Sequence, residues 1–269
     1  MNDDGFSVLG APFINVGATG ENVGAHVTDF VPTGYLNHEA YQYAGTDGDF
    51  TMAIIDNNGI GIHTYTWTHD WDWDDGEKWM PEGHWYDAQN RQFVEKGGAL
   101  DIVIPAGTGL FMSAPTMDDG DIGSTFQFPH SGEVYQQNVP FVINDDGFSC
   151  IANPFPAPVK VSTLTPAGYL NHEAYQYAGT DGDFTMAIID NNGIGVHTYT
   201  WTHDWDWDDG EKWMPEGHWY DAQNRQFVEK DSALDFPIPG GQGLFLSAPT
   251  MDDGDLGSQF SYTFICPIK

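Results

Sequence analysis

Residues 50–68 read FTMAIIDNNGIGIHTYTWT, and this stretch decides the fold class. Its first six residues form an apolar, β-branched run that is typical of a buried strand. Asp56-Asn57-Asn58-Gly59 then supplies the residues of a turn. His63-Thr64-Tyr65-Thr66-Trp67-Thr68 alternates strictly, which places Tyr65 and Trp67 on one face of a second strand. The stretch therefore predicts two strands joined by a turn.

The same stretch occurs twice in the chain. Residues 34–96 and 168–230 match at an offset of 134 with one difference, Ile62 against Val196. Such near-identity indicates recent duplication or gene conversion, so it does not by itself single out functional residues. The 269 residues thus divide into two copies of about 130 residues, each long enough to bury its own core. We expect copy one at residues 1–130, a polar linker at 131–140 and copy two at 141–269.

Strand signals also dominate the rest of each copy, and no convincing amphipathic helix is present. The 32 Gly and 16 Pro residues suit tight turns between short strands. Roughly seven to nine short strands in each copy predict an all-β fold, with two tandem β-sandwich or barrel-like domains. The copies differ in their flanks, where copy one carries eight extra residues in a Gly-rich stretch that we expect to form a loop.

The charge balance is strongly acidic. Only 8 Lys and Arg residues face 40 Asp and Glu residues, which gives a net charge of −32. Nucleic acid is therefore excluded as a partner, because phosphate binding needs cationic contacts. No apolar run is long enough to insert into a membrane. Aspartate outnumbers glutamate by 30 to 10, which favours turns and hard cations such as Ca²⁺, although a merely soluble or salt-adapted surface remains an alternative.

The segment HDWDWDDGE at residues 69–77, repeated at 203–211, is the strongest calcium candidate. Its closely spaced carboxylates repel one another, and a divalent cation would relieve that repulsion. The alternative is a solvated acidic rim with the tryptophans packed inward. Two lesser acidic turns, TDGD and MDDGD, are ordinary turns unless a second loop adds ligands. The candidate ligands are Asp70, Asp72, Asp74, Asp75, Glu77, Asp204, Asp206, Asp208, Asp209, Glu211, Asp47, Asp49, Asp181, Asp183, Asp118, Asp119, Asp121, Asp252, Asp253 and Asp255.

Tryptophans in the same segment suggest a glycan site. Trp71, Trp73, Trp205 and Trp207 stand beside carboxylates, and aromatic rings stack on sugar faces while carboxylates accept hydroxyl hydrogen bonds. The alternative is that these rings belong to a packed aromatic loop, because most tryptophans in proteins are largely buried.

Copy two contains both cysteines, Cys150 near its start and Cys266 near its end. The first and last strands of a sandwich domain are often neighbours, so a disulfide is one possibility. Two buried free thiols are the other.

No catalytic motif occurs. His38-Glu39 lacks the second histidine of a zinc HExxH site, and no nucleophile elbow or phosphate-binding loop is present. A carboxylate pair such as Asp74 with Glu82 could in principle hydrolyse glycosides. With 40 acidic residues some pair always looks suitable, so we expect no enzyme.

The segments GFSVLGAPF (residues 5–13) and IPAGTGLFMSAP (104–115) return in copy two as GFSCIANPF and IPGGQGLFLSAP. Together with the Tyr65-Thr66-Trp67 strand, they resemble a repeated β-domain of secreted and surface proteins of planctomycete, verrucomicrobial and Bacteroidetes-type bacteria. The resemblance implies an extracellular or cell-surface location and a multi-copy module, and it carries over no catalytic residue.

These features predict a structural or assembly module that associates with itself. A strand-like stretch at residues 137–143 precedes copy two, and no equivalent precedes copy one in the sequence. If that strand completes a sheet, copy one has an open edge that residues 262–268 of another molecule could fill, giving a head-to-tail polymer. Otherwise residues 137–143 are only linker. The alternative function is a carbohydrate-binding module made bivalent by duplication.

Overall fold

The computed structural model describes residues 6–16, 22–32, 50–55, 62–68, 83–113, 127–129, 131–144, 148–166, 184–189, 196–202, 218–247 and 259–267. Over these residues the chain is all-β, with every strand pair antiparallel and two short 3-10 turns, Val27–Asp29 and Val161–Thr163. The predicted fold class of two tandem β-sandwich domains is confirmed. Within the described residues no helix is long and apolar enough to cross a bilayer.

The strands number 21 in the described part of the chain. Copy one contains β1 (Phe6–Leu9), β2 (Phe13–Val16), β3 (Asn22–Val23), β4 (Ala25–His26), β5 (Phe50–Ile55), β6 (Ile62–Thr68), β7 (His84–Asp87), β8 (Gln92–Phe93), β9 (Val103–Ile104) and β10 (Leu110–Ser113). The linker contains β11 (Glu133–Val134). Copy two contains β12 (Val139–Asn144), β13 (Phe148–Ala152), β14 (Val159–Lys160), β15 (Phe184–Ile189), β16 (Val196–Thr202), β17 (His218–Asp221), β18 (Gln226–Phe227), β19 (Pro237–Ile238), β20 (Gly243–Ser247) and β21 (Gln259–Phe264).

Each copy is built on a six-stranded sheet. The strand order is β1-β10-β5-β6-β7-β8 in copy one and β13-β20-β15-β16-β17-β18 in copy two. The two strands predicted from residues 50–68 pair directly, from Phe50 opposite Trp67 to Ile55 opposite Ile62. Because both sheets follow the same order, the duplicated sequence folds the same way twice.

The core of each copy lies on one face of this sheet. In copy one, Met52, Tyr65 and Met112 are fully buried, and Trp67 meets Trp85 edge-to-face with ring centroids 5.1 Å apart. The same edge-to-face contact joins Trp201 and Trp219 in copy two, again at 5.1 Å. Such aromatic pairs fill the core and fix the spacing of neighbouring strands.

Short second layers close the cores. A β4–β9 pair and a 3-10 turn cover the sheet of copy one, and a β14–β19 pair with its own 3-10 turn covers that of copy two. The Trp85 indole nitrogen donates a 2.7 Å hydrogen bond to the Phe30 carbonyl, and Trp219 donates one of 2.6 Å to the Leu164 carbonyl. Each buried indole therefore has its polar group satisfied by the covering layer.

The eight extra residues of copy one fall in a segment of which residues 17–21 lie outside the described residues. They lie in the segment that carries β2 and β3, and β11 of the linker pairs with β2 to make a three-stranded sheet. The prediction of a loop is therefore wrong at β2 and β3, and for residues 17–21 it stays a prediction. The linker predicted at 131–140 is consequently tied to copy one.

The stretch predicted as a strand at residues 137–143 is confirmed as β12. It pairs with β21 over six positions, from Val139 opposite Phe264 to Asn144 opposite Gln259. Phe141 and Phe264 meet edge-to-face at 5.6 Å, and Tyr262 stacks on Trp219 at 6.4 Å. This pair forms part of the layer that covers copy two. The strand expected to extend into another molecule is thus paired within its own chain.

Candidate functional site at the junction of the two copies

The two copies meet at one place in the described residues, and we take this place as the candidate functional site. We call it the junction, and it comprises residues 8–10 and 105–109 of copy one with residues 150–152 and 239–243 of copy two. These residues lie within the GFSxxxxPF and IPxGxGLF segments. The sequence singled out both segments as recurring signatures, but it gave no sign that they meet.

A tight turn in each copy supplies half of the junction. The Thr108 N–H donates to the Pro105 carbonyl at 3.0 Å, and the Gln242 N–H donates to the Pro239 carbonyl at 3.1 Å. The third residue of each turn is a glycine with positive φ, +84° at Gly107 and +73° at Gly241. That is the signature of a type II turn, which requires glycine at this position.

Each turn is bonded to the other copy in a reciprocal way. The Gly10 N–H donates to the Gly241 carbonyl at 2.9 Å, and the Ala152 N–H donates to the Gly107 carbonyl at 2.8 Å. Gly10 and Ala152 are equivalent residues of the two copies, as are Gly107 and Gly241. The two bonds therefore exchange under an approximate two-fold rotation, the arrangement of an isologous interface.

Isolated strand bridges show the same symmetry. Leu9 pairs with Gln242 and Thr108 pairs with Ile151, and these two pairs also exchange when the copies are exchanged. One further bond, from the Gly109 N–H to the Cys150 carbonyl at 2.9 Å, strengthens one side. The junction is thus mainly a backbone interface.

Packing across the junction is close. Val8 and Cys150 are equivalent residues, both have no exposed surface, and neither belongs to the core cluster of its own copy. An added Cβ at Gly243 would overlap Val8, and one at Gly109 would lie 2.7 Å from the Cys150 carbonyl carbon. The copies therefore approach too closely for any side chain at these two glycines.

The two cysteines are both free, so the disulfide candidate Cys150–Cys266 is not formed. Cys150 lies on β13 in the six-stranded sheet, whereas Cys266 follows β21 in the separate two-stranded sheet. The first and last strands of copy two, β12 and β21, are neighbours, but Cys150 does not lie on either of them. Burial raises the pKa of the Cys150 thiol to about 12, which keeps it protonated and unreactive at neutral pH.

Buried aspartates in both copies have structural roles. Asp101 accepts hydrogen bonds from the Thr28 N–H at 3.0 Å, the Thr28 hydroxyl at 2.9 Å and the Gly97 N–H at 2.8 Å. Asp235 repeats this arrangement with the Ser162 N–H and hydroxyl at 2.9 Å and the Asp231 N–H at 2.8 Å. Each carboxylate fastens the covering layer to a neighbouring turn.

A second buried aspartate closes the turn after β7. Asp87 accepts hydrogen bonds from the Gln89 N–H at 3.0 Å and from the Asn90 N–H and side-chain amide at 2.9 Å, and His63 Nε2 lies 2.8 Å away. Burial raises the pKa of Asp87, but the bonds from Asn90 and His63 outweigh it, so the pKa lies below its usual value. Both oxygens are engaged, which marks a structural carboxylate.

Tyr65 and Tyr199 occupy equivalent core positions. Burial, together with the nearby Asp87 and Asp101, raises the pKa of Tyr65, and burial with Asp221 and Asp235 raises that of Tyr199 to about 12. Within the described residues the buried Tyr65 hydroxyl has no hydrogen-bond partner. Both phenols therefore stay neutral at physiological pH.

The predicted calcium and glycan residues lie outside the described residues. These are Asp70, Asp72, Asp74, Asp75, Glu77, Asp204, Asp206, Asp208, Asp209, Glu211, Asp47, Asp49, Asp181, Asp183, Asp118, Asp119, Asp121, Asp252, Asp253 and Asp255, with Trp71, Trp73, Trp205 and Trp207. In the sequence the HDWDWDDGE repeats lie between Thr68 and His84 and between Thr202 and His218, which are paired residues of the two sheets. Across the part of the chain that is described, no three His, Cys, Asp or Glu side chains form a group suited to a metal ion.

Comparison with known proteins gives no relative. No protein-family model matches the chain, and no curated protein or solved structure is similar to it. The resemblance to bacterial surface β-domains therefore stays a prediction.

Proposed function

We propose that the chain is a non-enzymatic structural module of the cell exterior, in which an acidic β-domain assembles with copies of itself. The observation that supports this proposal is the reciprocal hydrogen bonding at the junction, from Gly10 to Gly241 and from Ala152 to Gly107. A domain that binds its own duplicate through a self-complementary surface has the property that a self-assembling module needs.

The backbone character of the junction also favours a building block. Its bonds use main-chain groups in segments that both copies retain, so any further copy with the same two segments offers the same donors and acceptors. Recognition by exposed backbone edges is a common route to strand-mediated assembly.

Calcium is the proposed cofactor. The net charge of −32 makes the chain repel itself, and a divalent cation bound by the acidic segments would lower that repulsion and stiffen the loops. A melting experiment in Ca²⁺ and in EDTA tests this part. A site filled at about 100 times its Kd adds about 2.7 kcal/mol of stability. Replacement of Asp70, Asp72 and Asp74 by Asn, together with their equivalents in copy two, should remove the difference.

Addition of residues 262–268 to a second molecule is a less favoured mode of assembly. Residues of β21 pair with β12 along six positions in the same chain, so this strand would first have to leave its partner. The junction is the better candidate for self-association, because its strand ends and turns need no such rearrangement of the domain core.

Sedimentation over concentrations that extend to roughly the millimolar range, in Ca²⁺ and in EDTA, tests the assembly function. We expect species larger than the 29.8 kDa monomer to grow with concentration, and to grow more strongly in Ca²⁺. A chain that remains monomeric over the whole range in both conditions would contradict the proposed function.

A carbohydrate-binding module is the second candidate. On each sheet a phenylalanine lies between a histidine and a tyrosine, with His84 6.5 Å and Tyr86 5.3 Å from Phe93. Copy two repeats the set with His218, Tyr220 and Phe227. These rings are partly exposed, and partly exposed rings suit sugar stacking.

A glycan array separates this candidate from the first. If the chain is a lectin-like module, binding should appear on the array and should fall after Trp71→Ala with Trp73→Ala, or after Phe93→Ala with Phe227→Ala. Absence of binding to every polysaccharide tested would eliminate this candidate and leave the assembly function unaffected.

A further inference from the structure

The two-fold relation at the junction brings two equivalent residues face to face. An added Cβ at Gly10 would overlap the Cβ of Ala152 and lie 3.0 Å from the Thr108 carbonyl oxygen, whereas the Ala152 Cα would be 3.7 Å from it. A separation of 3.7 Å is ordinary contact, but overlapping methyl groups force the two backbones apart. At this contact, therefore, one of the two residues must be glycine.

This contact distinguishes the three ways in which the copies could pair. A pair of copy one with copy two places glycine opposite alanine, as the structure has it. A pair of two second copies would place Ala152 opposite Ala152 with overlapping methyl groups. A pair of two first copies would place Gly10 opposite Gly10 and leave a gap the size of a methyl group, which loses packing contacts.

The neighbouring glycines add no preference of this kind. Gly109 and Gly243 are equivalent, and both copies therefore keep the hairpin free of a side chain where it approaches the opposite strand. These two glycines permit close approach in all three pairings of the copies. Gly10 and Ala152, in contrast, are equivalent positions at which the copies differ.

We infer that Gly10 and Ala152 make the junction selective for copy one with copy two, and that copy two of one chain can take copy one of a second chain as its partner. The inference rests on the proposed assembly function and adds the identity of the partner. Only residues 135–138 lie between β11, which is bonded to copy one, and β12 of copy two, so exchange has to open the junction and competes with its closure within the chain.

The test uses the full chain with a protease site inserted between Gln136 and Gln137, which are both exposed. The folded chain is cleaved, and natural-abundance and ¹⁵N-labelled batches are mixed and examined by native mass spectrometry. We expect the two fragments to remain paired and mass-shifted hybrids of copy one with copy two to appear. Fragments that separate, or pairs that never exchange, would overturn the inference.

Three variants of the cleavable chain test the selectivity. Gly10→Ala should weaken the pairing by about tenfold or more, because overpacking a close contact costs this much or more. Ala152→Gly should allow pairs of two second copies to appear. The double variant Gly10→Ala with Ala152→Gly should restore pairing in part, since glycine again faces alanine, while the added Cβ at residue 10 still lies 3.0 Å from the Thr108 carbonyl oxygen.

Tryptophan fluorescence before cleavage, to which the buried Trp85 and Trp219 contribute among the 10 tryptophans, shows whether each variant is folded. If folded Gly10→Ala pairs as tightly as the parent chain, or if the double variant pairs no better than Gly10→Ala, the selectivity is refuted. Failure of the proposed function looks different. If only the proposed function is wrong, the uncut chain stays monomeric at every concentration, while the cleaved fragments still pair selectively.

Discussion

His63 Nε2 lies 2.8 Å from Asp87 Oδ2 in copy one, whereas the equivalent residues of copy two, His197 and Asp221, do not make this hydrogen bond. There the His197 ring stacks on Phe236, with centroids 5.9 Å apart and planes 16° from parallel. The two histidines lie in the nearly identical block, but Phe236 replaces Ile102 outside it. A residue beyond the duplicated block thus sets the orientation of a residue within it.

The variant Phe236→Ile should turn His197 towards Asp221. Removal of the aromatic ring takes away the stacking partner, and the copy-one arrangement then becomes available, with a hydrogen bond worth about 1 kcal/mol. A crystal structure or the ¹⁵N shifts of the His197 ring would detect the change. A ring that keeps its present orientation after the substitution would show that Phe236 is not the cause.

The lowered pKa of Asp87 predicts acid sensitivity. A carboxylate whose pKa is lower in the folded state stabilises the fold above its unfolded pKa, near 3.9, and this stabilisation is lost as the pH falls through the folded value. Urea midpoints at pH 5 and at pH 3 should therefore differ less in Asp87→Asn than in the parent chain. The exposed substitution Glu95→Gln serves as the control, and an unchanged pH dependence in Asp87→Asn would refute the assignment.

The two thiols should differ sharply in reactivity. Cys150 is fully buried and its pKa is raised to about 12, whereas Cys266 is partly exposed. Alkylation of the native protein at pH 8 should modify Cys266 and leave Cys150 untouched until the chain is unfolded. Mass spectrometry of peptides distinguishes the two sites. Equal rates in the native state would mean that the junction opens readily.

Backbone strain at the turn after β7 offers a stability test. Arg91 has φ of +52° and Arg225 has φ of +53°, a left-handed conformation that costs a side-chain-bearing residue about 1–2 kcal/mol. Arg91→Gly should therefore be more stable than Arg91→Ala by about 1 kcal/mol, since both lose the charge and only glycine relieves the strain. Denaturant unfolding measures the difference, and equal midpoints would argue against strain.

The strands could be predicted from the sequence because their pattern depends on neighbouring residues. The apolar run of β5 and the strict alternation of β6 predicted both strands and the face that Tyr65 and Trp67 share. The duplication predicted two equivalent domains for the same reason, since a repeated sequence repeats its local preferences. Period-two alternation is a reliable signal wherever one face of a strand is buried and the other is not.

The junction could not be predicted in this way. The strands β1 and β13 are covered on both faces, since Ser7, Val8, Ser149 and Cys150 are all fully buried. Alternation of apolar and polar residues therefore does not indicate which face of these strands meets the other copy. The strand β2 pairs with β11, more than 100 residues away in sequence, and no local pattern encodes that pairing. The calcium and glycan residues stay predictions, because they lie outside the described residues.

The short connection between β11 and β12 sets the effective concentration of each copy with respect to the other. Four residues span at most about 14 Å, so each copy experiences the other at an effective concentration in the millimolar range. Even a weak junction is then closed within one chain in dilute solution. Exchange with a neighbouring chain becomes competitive only where the modules themselves are crowded to a similar density, as in a packed surface layer.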